Sequence, residues 1–258
     1  MKKILAIGDL HGSDIWKDKL TDITIYERII FLGDYVDHWT RSDKDILNNL
    51  LDIIQLKKDY PDKVITLLGN HDYYYLIRKF GCSGLRPTMM EKLHEIFTEN
   101  KKMFLICYQI ESDDVQFLFS HAGIHQQYYS NFIDPITCVL DGIDKRIISL
   151  ADKACNRLAP KINLLHFNYE YRYIYSAGRD RGGLELYGGP LWIDMNTLIK
   201  NPLREFKVNG NEYKKIIQIV GHTEQKKKVN NQNNIVFVDF PSYPFYEMEI
   251  PDNYSEFL

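Results

Sequence analysis

The chain has 258 residues, 45% of them apolar, enough to bury the core of one large domain or two modest ones. Lys and Arg number 32 against 35 Asp and Glu, and the net charge of -3 excludes a global pull toward nucleic acid or an anionic membrane. No apolar run approaches the roughly 20 residues of a membrane helix, and the short run after Lys2-Lys3 is interrupted by Asp9 and His11, too early for a secretory leader.

In chain order, short runs rich in Ile, Val, Leu and Phe read as buried strands: Ile4-Ile7, Ile29-Leu32, Val64-Leu68, Val115-Phe119, Ile216-Val220 and Ile235-Val238. Between the second and third, Ser42-Asp43-Lys44-Asp45 reads as a helix start, ahead of Ile46, Leu47, Leu50, Leu51, Ile53 and Ile54 at helical spacing. That helix ends before Pro61. A second helix is predicted from Thr88 to about Asn100, with Met89, Met90, Leu93, Ile96 and Phe97 facing the core. From Asp134 to about Lys215 the pattern is less regular, with helical turns at Ile143-Arg157. There, Tyr169, Tyr171, Tyr173 and Tyr175 alternate as a strand with one aromatic face would, or as an insertion beside a site. Lys226-Lys227-Lys228 reads as a solvated turn. No repeat or long linker divides residues 1-258, which read as a single domain with a substrate-proximal segment at about 134-215. Cys82, Cys107, Cys138 and Cys155 form no C-x-x-C pair, so they read as small buried hydrophobes in a reducing, cytoplasmic setting.

Five of the six strands run at once into polar loops: Gly8-Asp9-Leu10-His11, Gly33-Asp34-Tyr35-Val36-Asp37, Gly69-Asn70-His71-Asp72, Ser120-His121 and Gly221-His222. Glycine permits the sharp exit from a strand, and chemistry in layered α/β folds gathers beyond strand ends. A single Asp or His in such a place commonly just caps a helix. Here four of only eight histidines fall in these loops beside carboxylates, which points to a shared site. Carboxylate and amide oxygens combined with imidazole, without thiolate, suit Mn foremost, with Fe or Zn as alternatives, over Ca or Mg. His94, His125 and His166 lie outside the pattern and read as surface or packed histidines.

In content and order the five blocks resemble the calcineurin-like metallophosphoesterases, in the branch of Ser/Thr protein phosphatases and diadenosine tetraphosphate hydrolases. The resemblance implies an α/β fold of four layers, α-β-β-α, with two mixed β-sheets packed face to face and two divalent metal ions at one edge. Asp9, His11 and Asp34 would hold one ion; Asp34, Asn70, His121 and His222 would hold the other. His71 resembles the family's proton donor, and Asp37 the carboxylate that orients it. Protein phosphatases of the family continue the second block with Arg-Gly, where this chain has His38-Trp39; His38 is a candidate replacement phosphate donor. Arg181 resembles the family's other phosphate-gripping arginine, with Arg179 as its alternate, and Leu191-Trp192-Ile193-Asp194 is similar to a Leu-Trp-x-Asp segment that usually precedes that arginine. Trp39 and Trp192 are candidate pocket walls. The implied function is hydrolysis of phosphate monoesters by metal-activated hydroxide, on a phosphorylated protein. A dinucleoside polyphosphate or other nucleotide substrate is the alternative, and a non-catalytic metal-binding scaffold a distant one.

Overall fold

Strand alternation sorts the apolar side chains into two layers before any helix is placed. The computed structural model describes residues 1–79, 81–112, 115–133, 157–167, 171–207, 213–226 and 230–258. The strands are β1 (Lys2–Ile7), β2 (Arg28–Phe31), β3 (Val64–Leu67), β4 (Phe104–Leu105), β5 (Cys107–Glu111), β6 (Val115–Ser120), β7 (Glu205–Lys207), β8 (Tyr213–Val220), β9 (Asn230–Gln232), β10 (Ile235–Phe237), β11 (Phe245–Ile250) and β12 (Ser255–Phe257). All six predicted strands are present, as β1, β2, β3, β6, β8 and β10.

One sheet has the order β11-β1-β2-β3-β4, with β1 to β4 mutually parallel and β11 antiparallel to β1. The other has the order β12-β5-β6-β8-β10-β9, with β7 paired on β8; β6, β8 and β10 are parallel. Ile4, Ala6, Ile30, Leu32, Ile65 and Leu67 of the first sheet meet Tyr108, Ile110, Phe119, Ile219 and Val236 of the second in one buried cluster. The alternate residues Leu5, Ile7, Ile29, Phe31 and Val64 face outward onto helices. Two mixed sheets face each other with helices outside them.

Two of the outer helices, over 43–59 and 90–99, follow their sequence signals. Helix α1 (Ile15–Lys19) precedes α2 (Asp43–Asp59), which is capped by Ser42, whose Oγ accepts from Asp45 N at 3.1 Å. Ile46, Leu50, Ile53 and Ile54 of α2 are buried against the sheet. Helix α3 spans Asn70–Ile77, and α4 spans Met90–Glu99 after a single tight turn at Pro87–Met89. On the second sheet's outer face, the helix Leu158–Phe167 is tied to β5 by a buried asparagine. Asn163 Oδ1 accepts from Ile106 N and Cys107 N at 2.8 and 3.0 Å, and its Nδ2 donates to Cys107 O at 2.8 Å. Asn163→Ala leaves three buried backbone groups without these partners. It should lower stability by about 3 kcal/mol, seen as a lower urea midpoint at unchanged slope; an unchanged midpoint would show that water replaces the amide.

One sequence expectation is revised. Tyr171–Ile174 is a helical turn, not a strand. Tyr175 beyond it packs edge-on against Trp192, ring centroids 5.7 Å apart, so the segment does lie beside the candidate site. The helical turns expected at Ile143-Arg157 lie outside the described residues except for Arg157, as do Tyr169, Cys138, Cys155 and, in the lysine run, Lys227 and Lys228. Cys82 and Cys107 are free, and His125 and His166 are buried. No described helix is long and apolar enough to cross a membrane.

Candidate metal centre

Register brings the polar loops to one edge. Ile7 pairs with Phe31 and Phe31 with Thr66 in the first sheet, while Ser120 pairs with Val220 in the second. Asp9, Asp34 and Asn70 therefore leave neighbouring strands together, and His121 and His222 leave another neighbouring pair.

The imidazoles are oriented by backbone carbonyls. His121 Nδ1 donates to Leu32 O at 3.0 Å, which leaves the lone pair on Nε2. That atom lies 2.8 Å from Asn70 Oδ1, 3.1 Å from His222 Nδ1 and 3.4 Å from Asp34 Oδ2. His11 Nδ1 likewise donates to Val36 O at 2.9 Å, turning Nε2 toward Asp34 Oδ2 at 3.8 Å. Asp34 thus belongs to two groups whose ligand atoms converge: His11, Asp34 and His71, and Asp34, His121 and His222. Asp9 is tied to the second group, its Oδ1 accepting from His222 N at 3.0 Å and lying 3.9 Å from His121 Nδ1.

Electrostatics ask for a cation here. Burial, then the charge of Asp72, pushes the Asp34 carboxyl well above the usual range. Burial, Asp239 and Asp34 do the same to Asp9. Burial holds His121 neutral, lowered to about 3, and His11, lowered to about 4 by burial and by His71. Neutral His121 Nε2 against Asn70 Oδ1 sets lone pair against lone pair, and burial opposes the protonated imidazole that would relieve it. A divalent cation would satisfy it, and the nitrogen and oxygen donor set fits a transition metal.

The backbone is bent to make the site. His11, Asp34, Asp37 and His222 all have left-handed φ, 46°, 54°, 63° and 66°, where a side chain costs roughly 1 to 2 kcal/mol per residue. Asp72 holds two of the loops in place: Oδ2 accepts from Asp34 N and Gly69 N at 2.7 and 2.9 Å, and Oδ1 from Tyr35 N at 2.9 Å. Close approach demands glycine at two points, since a Cβ on Gly69 would sit 2.0 Å from Asp34 Oδ1 and one on Gly221 2.3 Å from Asp9 Oδ1.

Beside the converged ligands, His71 Nδ1 contacts Asp37 Oδ2 at 2.9 Å, and its Nε2 lies 4.0 Å from Asp34 Oδ2. Tyr75 OH donates to Asp37 Oδ1 and accepts from Arg86 N at 3.1 Å. The cleft in front has a volume of about 870 Å³, and His38, Arg181 and Trp192 line it. Arg181 is held by Asp194 Oδ2 at 3.1 Å and Thr223 Oγ1 at 2.7 Å. Trp192 stands edge-on to His222 at 5.9 Å. Arg179 is exposed and outside the cleft wall. His38 turns Nδ1 back on its own loop, accepting from Thr40 N and Arg41 N at 3.1 Å each.

The sequence alone assigns no role to Asp72, Tyr75, Glu224 or Asp239. Asp239 also lines the cleft; burial and Glu224 push its carboxyl up to about 7. A signal for it exists, since it directly follows the sixth predicted strand, whose exit is assigned no ligand.

No curated protein matches the chain by sequence. Among solved structures, it is similar to a protein serine/threonine phosphatase from Saccharomyces cerevisiae described as having similarity to human phosphatase PP5. The identity is 15%, over 94% of this chain and 68% of that one, with a TM-score of 0.47. The family model for the calcineurin-like phosphoesterases matches residues 2–223, a span that holds all five polar loops from Asp9 to His222. The chain belongs to that family of metal-dependent phosphoester hydrolases.

Proposed function

We propose that the chain hydrolyses phosphate monoesters, with a phosphorylated Ser or Thr side chain as first substrate. The carrying observation is the convergence of His121 Nε2, His222 Nδ1, Asn70 Oδ1 and Asp34 Oδ2 within hydrogen-bonding reach of His121, next to the His71–Asp37 pair. Asp9, His11 and Asp34 would hold one divalent ion and Asp34, Asn70, His121 and His222 the other, with manganese foremost. When bound, the ions supply Lewis acidity that polarises phosphoryl oxygens and acidifies water.

The chain's own residues do the rest. His71 directs Nε2 toward the ligand cluster and gives its proton to the departing oxygen. Asp37 accepts from Nδ1, which fixes the imidazole's orientation and supports its charge, and Tyr75 keeps Asp37 in place. Arg181 presents its guanidinium to the equatorial phosphoryl oxygens, steadied by Asp194 and Thr223. The free thiols of Cys82 and Cys107 suit a reducing, cytoplasmic setting.

One observation favours a nucleotide as second reading. Past Arg181 and Trp192 the cleft adjoins a cavity of about 600 Å³ that also bears Lys79, Arg172 and Tyr175, charge and aromatic surface for further phosphates and a base. The test is a panel of phosphopeptides, diadenosine tetraphosphate, mononucleotides and cyclic nucleotides, run with Mn. Phosphoserine peptides should turn over fastest, chelation should abolish turnover, and Mn should restore it. A faster rate on diadenosine tetraphosphate would move the assignment to nucleotides. No turnover of any substrate after metal reconstitution would make the chain a metal-binding scaffold.

A further inference from the structure

Two arginines meet the loop between Asp37 and α2, and they are used in opposite ways. Arg86 is fully committed. Its Nε donates to His38 O at 3.1 Å, Nη1 to Asp43 Oδ1 at 3.0 Å, and Nη2 to Arg41 O at 2.6 Å and also to His38 O. With His38 Nδ1 accepting two backbone N–H groups from inside, the loop is clamped on both sides.

Arg41 is the residue this clamp positions, and among the described residues its guanidinium has no ion-pair partner. Its Nε is buried without a hydrogen-bond partner among them. Ion pairs among the described residues take Arg28, Arg78, Arg86, Arg157 and Arg181, and leave Arg41 out. Its stem runs over Gly12, whose Cβ position is 3.3 Å from Arg41 Cδ, directly beside His11. Arg41 then lines the same cleft as Asp34, His71 and Arg181. A partly buried guanidinium with an unsatisfied N–H is costly alone and favourable once an anion arrives. Its planar fork matches phosphate oxygens.

We propose that Arg41 is a substrate-binding arginine of this centre, gripping the phosphoryl group together with Arg181, while His38 serves to hold the loop that presents it. This rests on the phosphoesterase reading above. It assigns a second guanidinium to a chain that has histidine directly after Asp37, and it makes the exact length of the 38–42 loop, rather than the residue type at 38, the determinant of phosphate binding.

The test is calorimetric titration of the full-length, Mn-loaded protein with inorganic phosphate, for wild type, Arg41→Met and Arg41→Lys. Metal content and melting temperature are checked in each, and kcat/KM is measured on p-nitrophenyl phosphate. Losing charge-assisted hydrogen bonds should weaken phosphate about 10- to 100-fold in Arg41→Met, lower kcat/KM at least as much, and leave metal content unchanged. Arg41→Lys should recover part of both. Phosphate binding equal to wild type in a folded, metal-replete Arg41→Met overturns the assignment and leaves the phosphoesterase reading standing. A wild type that binds phosphate but turns over no ester sinks the catalytic reading, while the titrations still decide Arg41. A wild type that binds no phosphate overturns both.

Discussion

His71→Asn is expected to lower turnover of an alkyl phosphate such as phosphoserine by about 10²- to 10⁴-fold, the usual cost of losing a general acid. On p-nitrophenyl phosphate the loss should be far smaller, because that leaving group departs as an anion without help. The geometry behind this is a relay: Nε2 faces the ligand cluster, Nδ1 meets Asp37 at 2.9 Å, and Tyr75 holds the far oxygen of Asp37. Asp37→Asn and Tyr75→Phe should show the same leaving-group dependence in milder form. His71 also stands with His11 and Asp34 in a group able to hold a metal, so metal content must be measured beside the rates. Loss of an ion in His71→Asn would make His71 a ligand. Equal slopes against leaving-group pKa for wild type and variant would remove it as proton donor.

Asp34→Asn should cost more than any other single change at the centre, because among the described residues Asp34 alone belongs to both candidate ligand groups. The loss of activity should exceed the roughly 10- to 100-fold typical of residues that only orient a ligand, and both ions should be lost on dialysis. His222→Ala should weaken one ion and spare the other. The metal-free Asp34→Asn protein should melt no lower than metal-free wild type, since it relieves repulsion with Asp72 in a buried setting. Retention of both ions by Asp34→Asn would dismiss the shared-carboxylate arrangement.

Much of the frame could be read from sequence because the two inner strand layers carry unbroken apolar runs, and their exits carry Gly beside Asp, Asn or His. Ser42 marked α2 just as plainly. What escaped has physical causes. Helix α3 carries its polar and aromatic residues on buried sides, Asn70, Asp72, Tyr73 and Tyr75 alike, so no apolar stripe marks it. β4, β7, β9 and β12 have two or three residues each, too few to set a period. The tyrosines at 171, 173 and 175 alternate like a strand, yet the chain turns helically at Tyr171–Ile174, Tyr173 packs on Phe132, and Tyr175 beyond the turn packs on Tyr73 and Trp192. Asp72 and Tyr75 act through backbone groups and a carboxylate 37 to 38 residues away. Arg41 was beyond reach for another reason, since its proposed role rests on the partners it lacks among the described residues.

The pairing of β6 with β8, which sets Ser120 against Val220, has a consequence for how the protein is made. His121 and His222 become neighbours only after a hundred-residue excursion closes, and they meet Asp9, Asp34 and Asn70 only once the two sheets have docked through their shared apolar faces. A partly folded chain can bring together Asp9, His11 and Asp34 on the loops of the first sheet, but not the set that His121 and His222 complete. An ion held by that larger set would enter only a finished frame and would act as a latch, slowing its opening without hastening its formation.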